Sequence, residues 1–213
     1  MAGFGEQKKK KKSTPQGNTQ KPGEVIHKTA VNHHMRGDLV SAEKAYRAAV
    51  ASLSKASALA PSKQCSLLLA QAYQNLGQFK EAIVEYKKLD IDQAKHKMIP
   101  FSLGLCLLNT GNNIDAIEAF RIAVQLDDSF LDAWGNIGTA LMSEGRYQEA
   151  LPATQKVLDL DPDNPKAQMN LGGIYKELGK FDQALEATLK SLELRPDSPD
   201  AQMNLGWIYK ELG

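Results

Sequence analysis

The chain is poor in cysteine and in aromatic residues, and it has no long apolar run. Its two cysteines, Cys65 and Cys106, are too few for a disulfide framework and wrongly spaced for a zinc site; both lie in apolar stretches and read as buried, reduced thiols. No apolar stretch reaches the roughly 18 residues of a membrane span. The N-terminal charges are not followed by the apolar core of a secretory signal, so a cytoplasmic location is expected. The net charge is only +1, which gives no global field favouring nucleic acid. Also missing are a Gly-rich phosphate loop, a nucleophile elbow, a paired-carboxylate motif and a His-Glu zinc helix. No catalytic residue, metal or cofactor is therefore expected, and the chain reads as a non-enzyme.

What charge there is lies unevenly. Residues 1–22 hold six lysines, including the run Lys8 to Lys12, against Glu6, a balance of +5 that leaves −4 for the remainder. This segment lacks the apolar groups that offset ordering entropy and reads as a disordered basic tail. A lysine run can contact phosphates or anionic lipid, but Phe4 is the only nearby aromatic able to stack on a base, so a solubilising tail is expected and no specific nucleic-acid partner.

From residue 23 the chain repeats itself. Pro165 to Gly179 and Pro199 to Gly213 agree at thirteen of fifteen positions, at an offset of 34. A period of this length marks a helical repeat array whose units contact mainly their neighbours. The frame divides the chain into repeats at 23–56, 63–96, 97–130, 131–164 and 165–198 with a half repeat at 199–213, and six extra residues, 57–62, follow the first. Small residues recur at slot 8 (Gly104, Gly138, Gly172, Gly206) and slot 20 (Ala42, Ala82, Ala116, Ala150, Ala184), which lets two antiparallel helices approach closely. Slot 15 holds Gly37, Gly77, Gly111, Gly145, Gly179 and Gly213, where a helix must end in the left-handed conformation. Asn164-Pro165 and Ser198-Pro199 are helix starts, a capping side chain before Pro at the first helical position. Pro152 falls inside a predicted second helix, where it removes a hydrogen bond and bends the helix unless that helix starts later.

These slots resemble the tetratricopeptide repeat. The fourth repeat carries Trp134, Ile137, Gly138, Tyr147, Ala150 and Pro162 in the family's positions, and the likeness spans 23–213, about nine tenths of the chain. Departures are His33 in the first repeat, Asp128 at the proline slot of the third, and Thr154 and Thr188 where an aromatic is usual. The resemblance implies an all-α, right-handed superhelical solenoid of antiparallel helix pairs whose first helices line a concave, peptide-binding groove. The opening MAGFGEQKKKKK is also similar to multi-repeat proteins of marine cyanobacteria, some of which carry a transferase domain after the repeats.

The expected function is a non-catalytic scaffold that binds an extended segment of a protein or peptide partner. The alternative is the substrate-recognition region of a larger glycosyl- or sulfotransferase whose catalytic domain is absent from this chain. Helical spacing separates slots 2, 5, 6, 9, 12 and 13 of each first helix from the face that meets its partner helix. Slot 6 holds Asn136, Asn170 and Asn204, whose amides offer both a donor and an acceptor to a peptide backbone, as in the asparagine ladders of the glycosyltransferase repeat domains that this resembles. The plain alternative is that Asn is merely frequent at this slot and faces solvent. Lys166, Met169, Asp200, Met203 and Trp207 complete the expected groove contacts. A two-carboxylate clamp is not supported, because only Lys166 is basic at slot 2. His27 and His34 can share a helix face, but no acidic or cysteine partner at helical spacing completes a metal site, and Asp38 lies beyond the Gly37 turn; partly exposed histidines are expected. In the last half repeat Ala201, Leu205, Ile208 and Leu212 lack a covering helix, so this end is expected to fray, to self-associate, or to belong to a longer array.

Overall fold

The computed structural model describes residues 21–90 and 96–213. Regular structure among these residues is helix alone: α1 (Lys21–Met35), α2 (Leu39–Leu59), α3 (Lys63–Asn75), α4 (Phe79–Lys87), α5 (Met98–Asn109), α6 (Asn113–Leu126), α7 (Leu131–Ser143), α8 (Tyr147–Leu160), α9 (Pro165–Glu177), α10 (Phe181–Leu194) and α11 (Pro199–Leu212). The lysine run and residues 1–20 of the expected tail lie outside the described residues; Lys21 and Pro22 open α1, so the helix starts ahead of the expected boundary at residue 23. The extra residues after the first repeat are partly absorbed by α2, which runs on through Leu59.

Each hairpin is built as the slots demand. The slot-15 glycines between paired helices all have positive φ, from 70° at Gly77 and Gly145 to 77° at Gly111. Four helices are capped by a preceding side chain: Asp38, Ser62, Asn164 and Ser198 each accept from the backbone N–H three residues on. Pro152 sits inside α8 without shifting its start; the backbone acceptor it leaves unused is on an exposed turn.

The slot-8 residues explain themselves by contact. A Cβ on Gly104 would stand 2.5 Å from the Phe120 ring, one on Gly138 2.9 Å from the Thr154 hydroxyl, and one on Gly172 2.4 Å from the Thr188 hydroxyl. The slot-24 side chain thus lies directly on the slot-8 glycine, and the pair sets how close the two helices come. The departures at Thr154 and Thr188 belong to this contact: both are fully buried, and neither hydroxyl has a hydrogen-bond partner.

The core runs along the array. Leu53, Cys65 and Leu69 join the first two repeats, and the Cys65 thiol donates to the Leu53 carbonyl at 3.2 Å. In the middle, the Phe101 ring packs at a tilt against Phe130, 4.7 Å between centroids, and Phe120, 5.6 Å, so Phe101 is packing and not groove surface. Burial pushes the Cys106 thiol up to about 11, which keeps it protonated. First helices of neighbouring repeats touch (α1 with α3, α7 with α9, α9 with α11), while no pair of second helices does so to the same extent. The array therefore closes up on its first-helix side.

The first repeat corrects two expectations. His27 is not partly exposed: it is 5% exposed against the Tyr46 ring, and burial holds its pKa below the ordinary value. Asp38, placed beyond the turn by sequence, is carried back by that turn to within 3.2 Å of His33 Nδ1. The result is a single His–Asp contact; no group of three or more potential ligands forms among the described residues.

Candidate functional site

Three side chains predicted on two neighbouring repeats meet in one cleft. Between α7 and α9, Asn136, Lys166 and Asn170 line a cavity of about 330 Å³ together with Asp132, Thr154 and Arg195. An adjoining cleft of about 530 Å³ between α9 and α11 shares Lys166 and Arg195 and adds Met169, Asp197, Ser198 and Asp200. Two spacing rules bring this about. Slots 2 and 6 differ by four residues and so share a helix face, and the 34-residue period stacks that face from one first helix to the next. The end of α10 is tied into the same wall, because the Ser191 hydroxyl donates to the Pro165 carbonyl at 2.9 Å.

The three asparagines occupy one slot in three different states. Asn136 Nδ2 donates to the Asp132 carbonyl in its own helix at 2.9 Å, which leaves its Oδ1 open. Asn170 is only 8% exposed, and its side chain forms no hydrogen bond among the described residues. Asn204 receives Lys176 Nζ at 3.5 Å, and its Nδ2 lies 3.7 Å from where a Cβ on Gly173 would stand. Lys166 and Arg195 make no ion pair among the described residues, and neither does Asp132 or Asp200. The clefts thus hold two cations, neighbouring carboxylates and, on Asn170, one unbonded amide that opens into the cleft (the arrangement suits a segment with main-chain polar groups and mixed charge).

Met203 and Trp207 lie outside both clefts. Met203 is 69% exposed on α11. Trp207, 41% exposed, rests on Phe181 at 5.9 Å and under Lys176 Nζ at 5.1 Å, near Asn204 at the far end of the row. Sequence reasoning missed Arg195 and Thr154. Arg195 follows the end of α10 in the slot that holds Asp127 and Asp161 in the preceding repeats, so no recurring cation points to it, and Thr154 is read as a core position; neither carries a local signal of cleft lining. Among the described residues no helix is long and apolar enough to cross a membrane.

Comparison with known proteins bears on the whole array. Two family profiles, each described as Tetratricopeptide repeat, match residues 67–129, 101–165 and 141–208. No curated protein matches the sequence. Among solved structures, MamA superposes with a TM-score of 0.69 at 24% identity, over 85% of this chain and 94% of that one. YrrB, described as a tetratricopeptide repeat protein with an unusual peptide-binding site, gives 0.67 at 22% identity over 87% and 96%. A tetratricopeptide repeat protein from Parabacteroides merdae gives 0.69 at 18% identity over 91% and 74%. These likenesses establish the helical repeat fold.

Proposed function

Since this chain belongs to the tetratricopeptide-repeat family, we propose that it is a non-catalytic interaction scaffold that holds an extended segment of a partner protein along α7, α9 and α11. The observation that carries this reading is the pair of adjoining clefts, one on each side of α9, with unengaged polar side chains: Lys166 and Asn170 on α9 itself and Arg195 at the end of α10. Asn136 and Asn170 hold the segment's main-chain N–H and C=O groups, which makes binding tolerant of sequence. Lys166 and Arg195 take an acidic side chain, Asp132 and Asp200 a basic one, and Met169 an apolar one. Met203, Asn204 and Trp207 extend the contact towards the end of the row. YrrB, of the same fold, is described as binding peptide, which supports the reading.

The test is a peptide-array binding assay with the triple variant N136A/N170A/N204A. Each lost hydrogen bond is worth about 0.5–1.5 kcal/mol, so the triple variant should bind at least about tenfold more weakly. Unchanged binding with native helicity would remove the asparagine reading.

A further inference from the structure

The second helices carry their own recurring feature. Lys87 of α4 reaches Asp115 of α6 at 3.8 Å, and Arg121 of α6 reaches Glu149 of α8 at the same distance. Partners in each pair are 28 residues apart, so the next bridge in register would join residues 155 and 183. Those residues are Gln155 and Gln183. Gln155 instead donates to Asp159 in its own helix at 3.2 Å, and the Gln183 side chain forms no hydrogen bond among the described residues. The clasp between α8 and α10 is missing.

Beneath each of these junctions lies a cleft floored by the intervening first helix. Its volume is about 370 Å³ over α5, about 440 Å³ over α7 and about 700 Å³ over α9. A second substitution accompanies the widening. Over α7 the indole of Trp134 lines the cleft, its Nε1 donating to the Asp128 carbonyl at 2.9 Å. Over α9 the same slot holds Gln168, whose amide reaches the equivalent Pro162 carbonyl only at 3.5 Å. The floor stays apolar, with Leu158, Leu171, Tyr175 and Ala187. On the rim Glu186 has no partner, while Glu193 shares Lys190 at 3.5 Å, which leaves the lining one negative charge in excess.

We propose that the α8–α9–α10 cleft is a second docking site, on the second-helix side and separate from the first-helix clefts, for a basic peptide segment anchored by one aromatic side chain. The molecule supplies its own precedent: Trp134 shows that an indole fits this junction and that its N–H finds the carbonyl at the start of the cleft. In the wider cleft the indole comes from the partner, displaces the weakly held Gln168 amide and donates to the Pro162 carbonyl. Lysines flanking that indole meet Glu186 and the Glu193 end of its ion pair. Aromatic anchors in apolar clefts dominate binding energies, and rim charges set the preference for basic neighbours.

The test uses the full chain and a fluorescein-labelled heptapeptide with one tryptophan between glycines and two lysines at each end, followed by fluorescence anisotropy. Saturable binding is expected, about tenfold or more weaker when the peptide's tryptophan is alanine. Q168W, which restores the indole from within, should abolish binding, and Q155R/Q183E, which restores the clasp on exposed positions, should weaken it comparably. N136A/N170A should leave it unchanged, which separates this site from the first-helix clefts. The proposal is overturned if the heptapeptide shows no saturable binding, if the tryptophan and alanine peptides bind alike, or if Q155R/Q183E binds as the parent chain does. Should Q168W not fold, the double variant decides.

Discussion

In the third repeat Gly104 lies beneath the ring of Phe120; in the fifth, Gly172 lies beneath the hydroxyl of Thr188. The backbone frame is the same and the filling is opposite. Phe120 continues an aromatic chain through Phe101 to Phe130 and buries a large apolar surface. Thr188 brings a buried hydroxyl without a partner, so the fifth repeat carries a polar cost that the third does not. Glycine at slot 8 permits the helices to close, and slot 24 decides how firmly they hold. The array is therefore firm in the middle and weaker towards α10, where the second-helix clasp is also lost.

Substitutions can test that contrast. Phe120→Ala opens a cavity in the aromatic chain and should cost about 3–5 kcal/mol in urea unfolding, whereas Thr188→Ala should cost well under half of that. Gly172→Ala forces a Cβ against Thr188 and should cost about 1–3 kcal/mol. At the matching Gly206 nothing lies within 4 Å, and Gly206→Ala should instead gain up to about 1 kcal/mol from helix propensity. An equal loss at both glycines would break the slot-8 argument. Thr188→Val removes the unpartnered hydroxyl at constant shape and should raise stability by about 1 kcal/mol, narrowing the gap between the two repeats. Acid should loosen the first repeat but not the fifth. Burial lowers the His27 pKa, so the unfolded chain takes up the proton first; this stability is complete above the ordinary value of 6.5 and declines as pH falls below it towards the folded value. Amide protection factors in α1, which already correct for the slower intrinsic exchange in acid, should therefore be lower at about pH 5 than at pH 7, while those in α10 stay unchanged. The smallest effect belongs to Asp115→Asn, which breaks an exposed clasp and should cost no more than about 1 kcal/mol, less at high salt.

Much of this contrast is visible in the amino-acid order alone. Gly37 to Gly179 mark the turns, Ala42 to Ala184 the close approaches, and Asn164 and Ser198 the starts, because each answers a local steric demand that recurs with the period. Asn136, Lys166 and Asn170 could be placed on one side for the same reason. What stayed hidden depends on contacts between repeats. That His27 is buried follows from Tyr46 on the next helix, and that Asp38 meets His33 follows from the path of the Gly37 turn. The open cleft over α9 arises from three separate departures, Gln155, Gln168 and Gln183, each unremarkable alone and meaningful only once the 28- and 34-residue offsets place them at one junction.

Trp134, Gln168 and Gln202 each reach back six residues to a main-chain carbonyl, and α9 and α11 present almost the same surface to the helix before them. In genetic terms the joint is interchangeable. A 34-residue deletion that joins Asn164 to Pro199 would seat α11 on α8 through Ala201, Leu205 and Ile208 in the places of Ala167, Leu171 and Ile174, and a duplication would do the reverse. The length of this array can therefore change by one whole 34-residue unit without a new interface having to evolve.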